Sequence, residues 1–355
     1  MEKCLMNVKR GKLIHTILRL EEFGIMAAER LNQIPVIDLA DLQSATPSVR
    51  QETTETTVKG LHDIGFLFVR TPEITAKLPR IYPIFEKLFA LPEAKLLQYE
   101  RTDLHHQRGY TPLYTEIGIF CQKSGPDESP QPDGKRNWFI GPEHRDISDK
   151  SLLTRFPELY AENIWPVEVP ELQEAATALY NDLYGVGKAV LGALEGPLGY
   201  DDGFFEDVIK DSPTSLRPLH YRAVEQGVGA CDHTDINYVT VLPAPTKEGL
   251  WVKSREGQWI KGMAPEGCSL VQVGDMLQYT TGGQFHSAIH KVDAPQTKDR
   301  YSTALFGHAR STVDLKPAEQ WHADPEKYPS LTAGEFLYKR LDEIGLAKQQ
   351  ARGAA

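Results

Sequence analysis

The spacing of apolar residues predicts a helix-rich first half for this chain. Apolar runs at residues 34–39 and 65–69 predict two short strands, and the segment 52–62 between them has helical spacing. Residues 172–194 carry apolar side chains at helical spacing and predict one long helix. We therefore expect mainly helix before about residue 212.

Two segments of this first half are rich in proline. Residues 74–97 alternate apolar and charged residues at helical spacing, and Pro83 and Pro92 are predicted to break the helix. Residues 121–137 are polar and rich in Pro, Gly and Asp, which predicts a loop. Loops of this length often act as lids, so we expect this loop to close over a pocket.

Short strands dominate the pattern from residue 216 to residue 312. The apolar segments are separated by Gly, Pro and charged turns, as in LRPLHYRAV, INYVTVL, GLWVKS, QWIKG, SLVQVGDMLQYT, SAIHKV and RYSTALFGHA. This spacing is typical of an antiparallel barrel or sandwich. Residues 332–346 return to a helical pattern. The predicted organisation is an extension at 1–33, a helix-rich region at 34–212, a β core at 213–315 and a helical tail at 316–355.

Charge and hydropathy narrow the classes of protein that fit. The chain has 355 residues and a formal net charge of −10, which argues against non-specific binding of nucleic acid. No apolar stretch approaches the roughly 18 residues that span a bilayer. The basic N-terminus lacks the continuous apolar segment of a signal peptide. We expect a cytoplasmic protein without a membrane anchor, in which the residues before Met26 are dispensable.

Cysteine usage gives the same indication of compartment. The four cysteines are scattered and form no Cys-x-x-Cys pair; they are Cys4, Cys121, Cys231 and Cys268. This pattern favours neither a disulfide framework nor a zinc site. A reducing compartment is the simpler interpretation, and no disulfide is predicted.

The tripeptide His-x-Asp occurs three times, beginning at His144, His233 and His322, whereas about 0.7 occurrences are expected by chance. The first and third lie in polar, loop-like sequence. His233 and Asp235 instead lead into the apolar segment INYVTVL. On an extended chain, residues i and i+2 point to the same side. This pair is therefore predicted to present an imidazole and a carboxylate to one point.

A third metal ligand would have to come from elsewhere in the β core, and two histidines compete for the role. His286 and His290 are four residues apart, so an extended segment would place both on one face. The strand-like sequence around His290 favours it without excluding His286, which is close to the Gly282-Gly283 turn. Two imidazoles and one carboxylate form the facial arrangement used by non-haem Fe(II) oxygenases.

Arg300 and Ser302 form an Arg-x-Ser motif ten residues after His290. In a strand the two residues share a face, and a guanidinium beside a hydroxyl can clamp a carboxylate. A dicarboxylate could then chelate the metal at one end and bind Arg300 at the other, with the Tyr221 hydroxyl as a further contact. The alternative for Arg300 is a surface salt bridge, which would contribute little.

These motifs resemble the 2-oxoglutarate/Fe(II) dioxygenases of the isopenicillin N synthase type. The resemblance extends over residues 34–310 and includes IPVIDLADL, GFLFVRTPEI, RGYTPLYTE and NWF. HTDINYVTVL resembles the family's first metal motif, and GDMLQYTTGGQFHSAIHKV resembles the second. In that second motif the histidine before a basic residue and Val is the ligand, so the resemblance selects His290 over His286. RYSTALF resembles the cosubstrate clamp, and LHYRAV places Tyr221 at the family's cosubstrate tyrosine. Leu219 stands where the family has Asn.

The resemblance implies a mainly β fold with flanking helices, built on a double-stranded β-helix, or jelly roll. It implies Fe(II), 2-oxoglutarate and O₂, with release of succinate and CO₂ as a small-molecule substrate is hydroxylated or desaturated. Two alternatives remain: a family oxidase that does not use 2-oxoglutarate as cosubstrate, including ethylene-forming members, or a ligand-binding jelly roll without catalysis. A carboxylate-bearing substrate would suit Arg136 or Arg108. Residues predicted to contact the substrate are Tyr110, Arg136, Asn137, Phe306 and His308.

Overall fold

The computed structural model describes residues 34–121, 132–143, 146–224 and 227–347. The N-terminal extension, His144 and residues 122–131 of the predicted lid lie outside the described residues. Within the described ranges the chain forms two β-sheets with helices around them.

Twelve strands are present in these ranges. They are β1 (Val36–Asp38), β2 (Phe66–Arg70), β3 (Gly109–Thr111), β4 (Lys135–Phe139), β5 (Ser215–Tyr221), β6 (Val228–His233), β7 (Val239–Leu242), β8 (Leu250–Lys253), β9 (Trp259–Lys261), β10 (Cys268–Val273), β11 (His290–Asp293) and β12 (Arg300–Gly307).

The strands form a larger sheet of eight and a smaller sheet of four. The larger sheet has the order β1-β2-β10-β7-β12-β5-β4-β3, and the smaller has the order β6-β11-β8-β9. β1 and β2 pair in parallel. All the other strand pairs of the two sheets are antiparallel. The two sheets enclose a cavity between them, to which both contribute side chains. This is the double-stranded β-helix core that the family resemblance implies.

Ten α-helices surround the sheets in the described ranges. They are α1 (Leu39–Leu42), α2 (Pro47–Asp63), α3 (Pro72–Thr75), α4 (Leu78–Phe89), α5 (Glu93–Leu96), α6 (Ser151–Arg155), α7 (Glu171–Leu198), α8 (Phe204–Ile209), α9 (Asp275–Thr280) and α10 (Ala333–Glu343). Short 3-10 turns lie at Leu97–Tyr99, Thr102–Leu104 and Glu319–Trp321.

The long helix α7 packs on the side of the larger sheet that faces away from the cavity. A Cβ placed on Gly187 would lie 3.5 Å from a methyl group of Val241 and 3.6 Å from one of Val239. Because side chains alternate along a strand, Thr240 and Leu242 point to the opposite side and line the cavity. The helix therefore covers one face of β7 and leaves the other face free for function.

The last helix, α10, begins with a capping box. The Thr332 side chain accepts a hydrogen bond from the Glu335 backbone N–H, and the Glu335 carboxylate accepts one from the Thr332 backbone N–H. Leu337 and Leu341, four residues apart on one helix face, are buried and line the cavity. The tail of the chain is thus part of the cavity wall.

Three sequence-based boundaries are wrong. Pro83 lies inside α4 rather than at a break, because burial of the helix's apolar face outweighs the lost hydrogen bond. The segment DMLQYT is helical, with Met276, Leu277 and Thr280 buried at helical spacing. Residues 135–137 are not loop but the start of β4, where they pair with β5.

The prediction that no disulfide forms is also wrong. Cys121 and Cys231 are joined by a disulfide, with their Cα atoms 5.2 Å apart. They are separated by 110 residues, so only the folded chain reveals that they are neighbours. The bond ties the first residue of the predicted lid to β6. In the described ranges no helix is long and apolar enough to cross a bilayer.

Candidate metal and cosubstrate site

The two histidines predicted to bind the metal come from neighbouring strands of the smaller sheet. His233 is the last residue of β6 and His290 the first of β11, and the two are directly opposite in the antiparallel register. Their ring centroids are 4.2 Å apart. Asp235 follows two residues after His233, just beyond the end of the strand. A strand pair and the turn after it thus bring all three side chains to one place.

The ligand atoms of these three residues converge as a metal site requires. One nitrogen of each histidine and one oxygen of Asp235 all lie within 4.8 Å of one another. The Asp235 Oδ1 atom is 4.0 Å from His233 Nε2 and 3.6 Å from His290 Nε2. Among the described residues, these three form the group of His, Cys, Asp or Glu side chains whose ligand atoms are close enough together to hold an ion. The structure brings the three predicted side chains together, with His290 rather than His286 beside His233 and Asp235.

Backbone carbonyl groups set the orientation of both imidazole rings. His233 Nδ1 lies 2.6 Å from the Cys231 oxygen, and His290 Nδ1 lies 3.3 Å from the Ala288 oxygen. A carbonyl can only accept, so each Nδ1 carries the proton and donates it. Each Nε2 is then left with a lone pair that points toward Asp235.

The carboxylate of Asp235 is fixed by neighbours on the larger sheet. Its Oδ2 atom accepts hydrogen bonds from the Thr240 hydroxyl, at 2.5 Å, and from the Gln272 amide. Its backbone oxygen accepts from the Asp275 N–H at 2.7 Å. Oδ1 is left to face the histidines.

A glycine permits the chain to approach this close to Asp235. A Cβ on Gly274 would lie 2.0 Å from the Asn237 backbone oxygen and 3.1 Å from that of Asp235. A larger residue at position 274 would push the turn before α9 away from the segment that carries Asp235 and Asn237. The glycine of the GDM sequence therefore has a packing role beside the metal site.

Burial keeps the His233 ring in the form that binds a metal. Burial, followed by the neighbouring imidazole of His290, holds the pKa of His233 well below its ordinary value. The ring is therefore neutral near pH 7. Two imidazoles and one carboxylate are a nitrogen-oxygen donor set that suits Fe(II) and leaves positions for other ligands.

Arg300 and Ser302 line the same cavity as the triad. Arg300 is 3% exposed and is paired in register with Tyr221 on β5. Its guanidinium carbon lies 4.8 Å from the centre of the Tyr221 ring, and its Nε donates to the Lys247 backbone oxygen at 2.9 Å. Its Nη1 atom is buried without a hydrogen-bond partner among the described residues. Arg300 is therefore not part of a surface salt bridge.

A second polar group in this cavity was not predicted from the sequence. Glu116 accepts hydrogen bonds from Arg217 and Asn137, and Lys135 is 3.2 Å away. Burial alone would raise the pKa of Glu116, but Arg217 and Lys135 outweigh it and lower the pKa to about 2. Lys135 is also paired with Asp133. These residues form a charge-balanced buried network.

The predicted substrate-contacting residues separate into two groups. Phe306 and His308 line the cavity. Tyr110 and Arg136 instead bind the two oxygens of Glu93, at 2.8 Å and 3.0 Å, and are not among the cavity-lining residues of the described chain. Asn137 is buried behind Glu116, to which it donates at 3.0 Å.

Arg108 does not reach the cavity either. It is buried and donates to the backbone oxygens of Gln107, Leu159 and Ala161, at 2.6 to 3.0 Å. Its guanidinium is occupied by the fold, so the expectation of a carboxylate bound by Arg108 is not supported.

A jelly roll that presents two histidines and a carboxylate beside a buried arginine defines a class, the non-haem Fe(II) oxygenases. Two family models match this chain. One, described as "non-haem dioxygenase in morphine synthesis N-terminal", matches residues 34–168. The other, described as "2OG-Fe(II) oxygenase superfamily", matches residues 215–309. Together they cover more than half of the chain. The chain belongs to the 2OG-Fe(II) oxygenase superfamily, in its isopenicillin N synthase-like branch.

Known proteins of similar sequence and fold agree. The chain is 26% identical over 325 residues to validamycin A dioxygenase of Streptomyces hygroscopicus subsp. limoneus, covering 86% of this chain and 85% of that one. A 2OG-Fe(II) oxygenase family protein from Caulobacter crescentus matches with a TM-score of 0.70 and 28% identity over 88% of this chain and 99% of its own. The dioxygenase for auxin oxidation in rice has the same fold, with a TM-score of 0.62, 21% identity and coverage of 89% and 99%.

Membership of this family identifies the enzyme class and its cofactors. The chain is a 2-oxoglutarate/Fe(II)-dependent dioxygenase, an oxidoreductase that uses Fe(II) and 2-oxoglutarate. The donor set of the triad fits the metal, and the unpartnered Arg300 Nη1 fits a carboxylate.

Proposed function

We propose that this enzyme hydroxylates or desaturates a small molecule while converting 2-oxoglutarate and O₂ to succinate and CO₂, and that Arg300 anchors the cosubstrate. One observation supports the proposed role of Arg300. Arg300 is buried in the cavity of the triad, and its Nη1 has no acceptor within the described chain. A buried cationic donor without a partner is costly, and a cosubstrate carboxylate would satisfy it.

Three side chains would hold the metal: His233 and His290 through Nε2, and Asp235 through Oδ1. When bound, Fe(II) supplies the activation of O₂ that the protein's own side chains cannot perform. The chain contributes geometry. The carbonyls behind both histidines keep Nε2 free of protons, and the donors on Oδ2 turn Oδ1 toward the metal.

Two further residues would complete the cosubstrate clamp. Ser302 lies on the same face of β12 as Arg300 and can donate its hydroxyl to the same carboxylate. The Tyr221 ring packs against the guanidinium and limits its movement. Leu219, opposite Ser302, adds an apolar wall instead of a polar contact.

Fe(II)-dependent release of succinate tests the reaction. Purified protein with Fe(II) and 2-oxoglutarate is incubated with a panel of small molecules, and succinate and substrate loss are measured together. Gain of one oxygen atom indicates hydroxylation, and loss of two hydrogens indicates desaturation. His233→Ala should bind no Fe(II) and release no succinate.

Arg300→Gln tests the clamp separately from the chemistry. Loss of a buried charge-assisted contact costs about 2–5 kcal/mol, so the Kd for 2-oxoglutarate should rise roughly 30-fold or more. The affinity for the metal should be unchanged. Arg310→Lys, a surface arginine that pairs with Asp207, is the matched control. Unaltered 2-oxoglutarate binding by Arg300→Gln would rule out this anchor.

A further inference from the structure

The cavity has a second cationic end. The assignment of a ligand to this end rests on the proposed oxygenase function. Side chains alternate along the paired strands β5 and β12, so Tyr221 and Arg217 face the cavity on one strand, and Arg300 and Ala304 face it on the other. Arg217 is paired with Ala304, four residues along from Arg300. At about 3.3 Å per residue, the two arginines are attached about 13 Å apart.

Three nitrogen atoms without partners belong to residues that line this cavity. Arg217 Nε, His308 Nδ1 and Arg340 Nε are all buried without a hydrogen-bond partner among the described residues, and all three residues line the cavity. Arg217 is only 9% exposed. Because buried polar atoms in proteins are nearly always hydrogen-bonded, three such atoms on residues that line one cavity indicate a place for a ligand.

Both guanidinium groups are held in place by carboxylates. Arg217 donates to Glu116, and Arg340 donates to Asp275 and Glu343 at 2.9 Å and 2.8 Å. Each arginine is therefore fixed in position yet retains one unused N–H group. Since the positive charges are already largely balanced, the site suits a singly charged anion better than a dianion.

Apolar side chains surround these donors. The Arg217 guanidinium carbon lies 4.2 Å from the centre of the Phe139 ring and 5.3 Å from that of Phe306. Leu337 and Leu341 of α10 also line this cavity. A ligand of this site would combine a planar anionic group with an apolar body.

We propose that the substrate is a small apolar carboxylic acid whose carboxylate binds Arg217 and His308, with Arg340 as a further donor from the tail of the chain. The acid group would be held at one end of the cavity and 2-oxoglutarate at the other. The apolar body would then extend toward the metal between them. Arg217 is thus a specificity-determining residue.

Matched acids and amides test this subsite without requiring turnover. Protein loaded with Fe(II) and saturating 2-oxoglutarate is titrated without oxygen, by calorimetry, with 3-phenylpropionate and octanoate and with their primary amides. At least one acid should bind 10-fold or more tightly than its amide. An acid whose binding weakens as 2-oxoglutarate is raised occupies the Arg300 clamp and counts against the proposal.

Arg217→Lys keeps the charge beside Glu116 but removes the Nε donor. It should weaken binding of the acid about 10- to 100-fold and leave binding of the amide and of 2-oxoglutarate within about threefold. His308→Leu provides a second test if Arg217→Lys folds poorly, and Arg310→Lys is the control. Equal affinity for acids and amides, or a preference that survives both changes, would overturn the subsite. If the wild-type protein neither binds 2-oxoglutarate nor releases succinate, the proposed function is refuted instead.

Discussion

Replacing Thr240 with valine should weaken metal binding, although Thr240 is not one of the three proposed metal ligands. Its hydroxyl donates to the Oδ2 atom of Asp235 at 2.5 Å and accepts from the Asn237 amide at 3.0 Å. Thr240 is 1% exposed, so water cannot replace the lost donor. Valine has nearly the same volume and β-branching, and the strand should be preserved.

The size of the effect follows from the charge on the acceptor. A hydrogen bond to a charged group is worth about 1.5–3 kcal/mol. The Gln272 amide remains as a second donor to Oδ2, which favours the lower part of this range. We therefore expect the affinity for Fe(II), or for Co(II) as a stable substitute, to fall about 10- to 30-fold.

Competition with a metal chelator under anaerobic conditions measures this affinity. Thr303→Val is a matched control, because Thr303 is equally buried, lies on β12, does not line the cavity, and has a hydroxyl without a hydrogen-bond partner in the described chain. The control should leave metal affinity unchanged. An affinity for Thr240→Val within twofold of the wild type would show that support of Asp235 contributes little.

Three other outcomes are expected. Gly274→Ala should destabilise the protein by about 1–3 kcal/mol, because the new methyl group would meet the Asn237 oxygen; Gly192→Ala, in the exposed face of α7 with open space around it, should instead be neutral or stabilising in the same urea titration. Burial, followed by Arg217, lowers the pKa of His308 to about 3. Between pH 6.5 and 3 the unfolded chain therefore binds a proton that the folded chain does not. The free energy of unfolding should fall as the pH falls through this window, by about 2–3 kcal/mol at pH 4.5. His308→Leu should flatten that dependence, and an unchanged slope would contradict the assignment. Peptide mapping without reductant should recover Cys121 linked to Cys231, whereas two free thiols in freshly purified protein would contradict the pairing.

The metal triad could be predicted because its chemistry is local in sequence. His233 and Asp235 are two residues apart, and a strand places them near one point. The choice between His286 and His290 could not be made from spacing, since both would lie on one face of an extended chain. In the fold His290 pairs directly with His233, and this pairing depends on strand register, which the sequence does not display.

The second end of the cavity was missed for two different reasons. The signal for Arg217 was available, because Tyr221 and Arg217 are four residues apart in one predicted strand and must share a face. Arg340 and Glu116 could not have been placed in this way. Arg340 is in the last helix, and Glu116 is in a loop more than 200 residues earlier in the chain. Only tertiary packing brings both residues to this cavity.

The predictions for helices failed where packing overrides local preference. Pro83 is tolerated in α4 because one face of that helix is buried. The sequence-based strand runs on through SLVQVGDMLQYT, but the chain turns at Gly274, and Met276 and Leu277 are buried at helical spacing.

His233 and His290 lie opposite one another on adjacent strands, so an ion held by both would be a cross-link as well as a reaction centre. The register between β6 and β11 shifts immediately after the His290–His233 pair, so the ladder is irregular there. We expect chelation to raise amide exchange along β6 and β11 before it affects α7 or the larger sheet. A cell short of iron would then lose this enzyme by proteolysis as well as by inactivity, and the supply of the metal would determine how long each molecule survives.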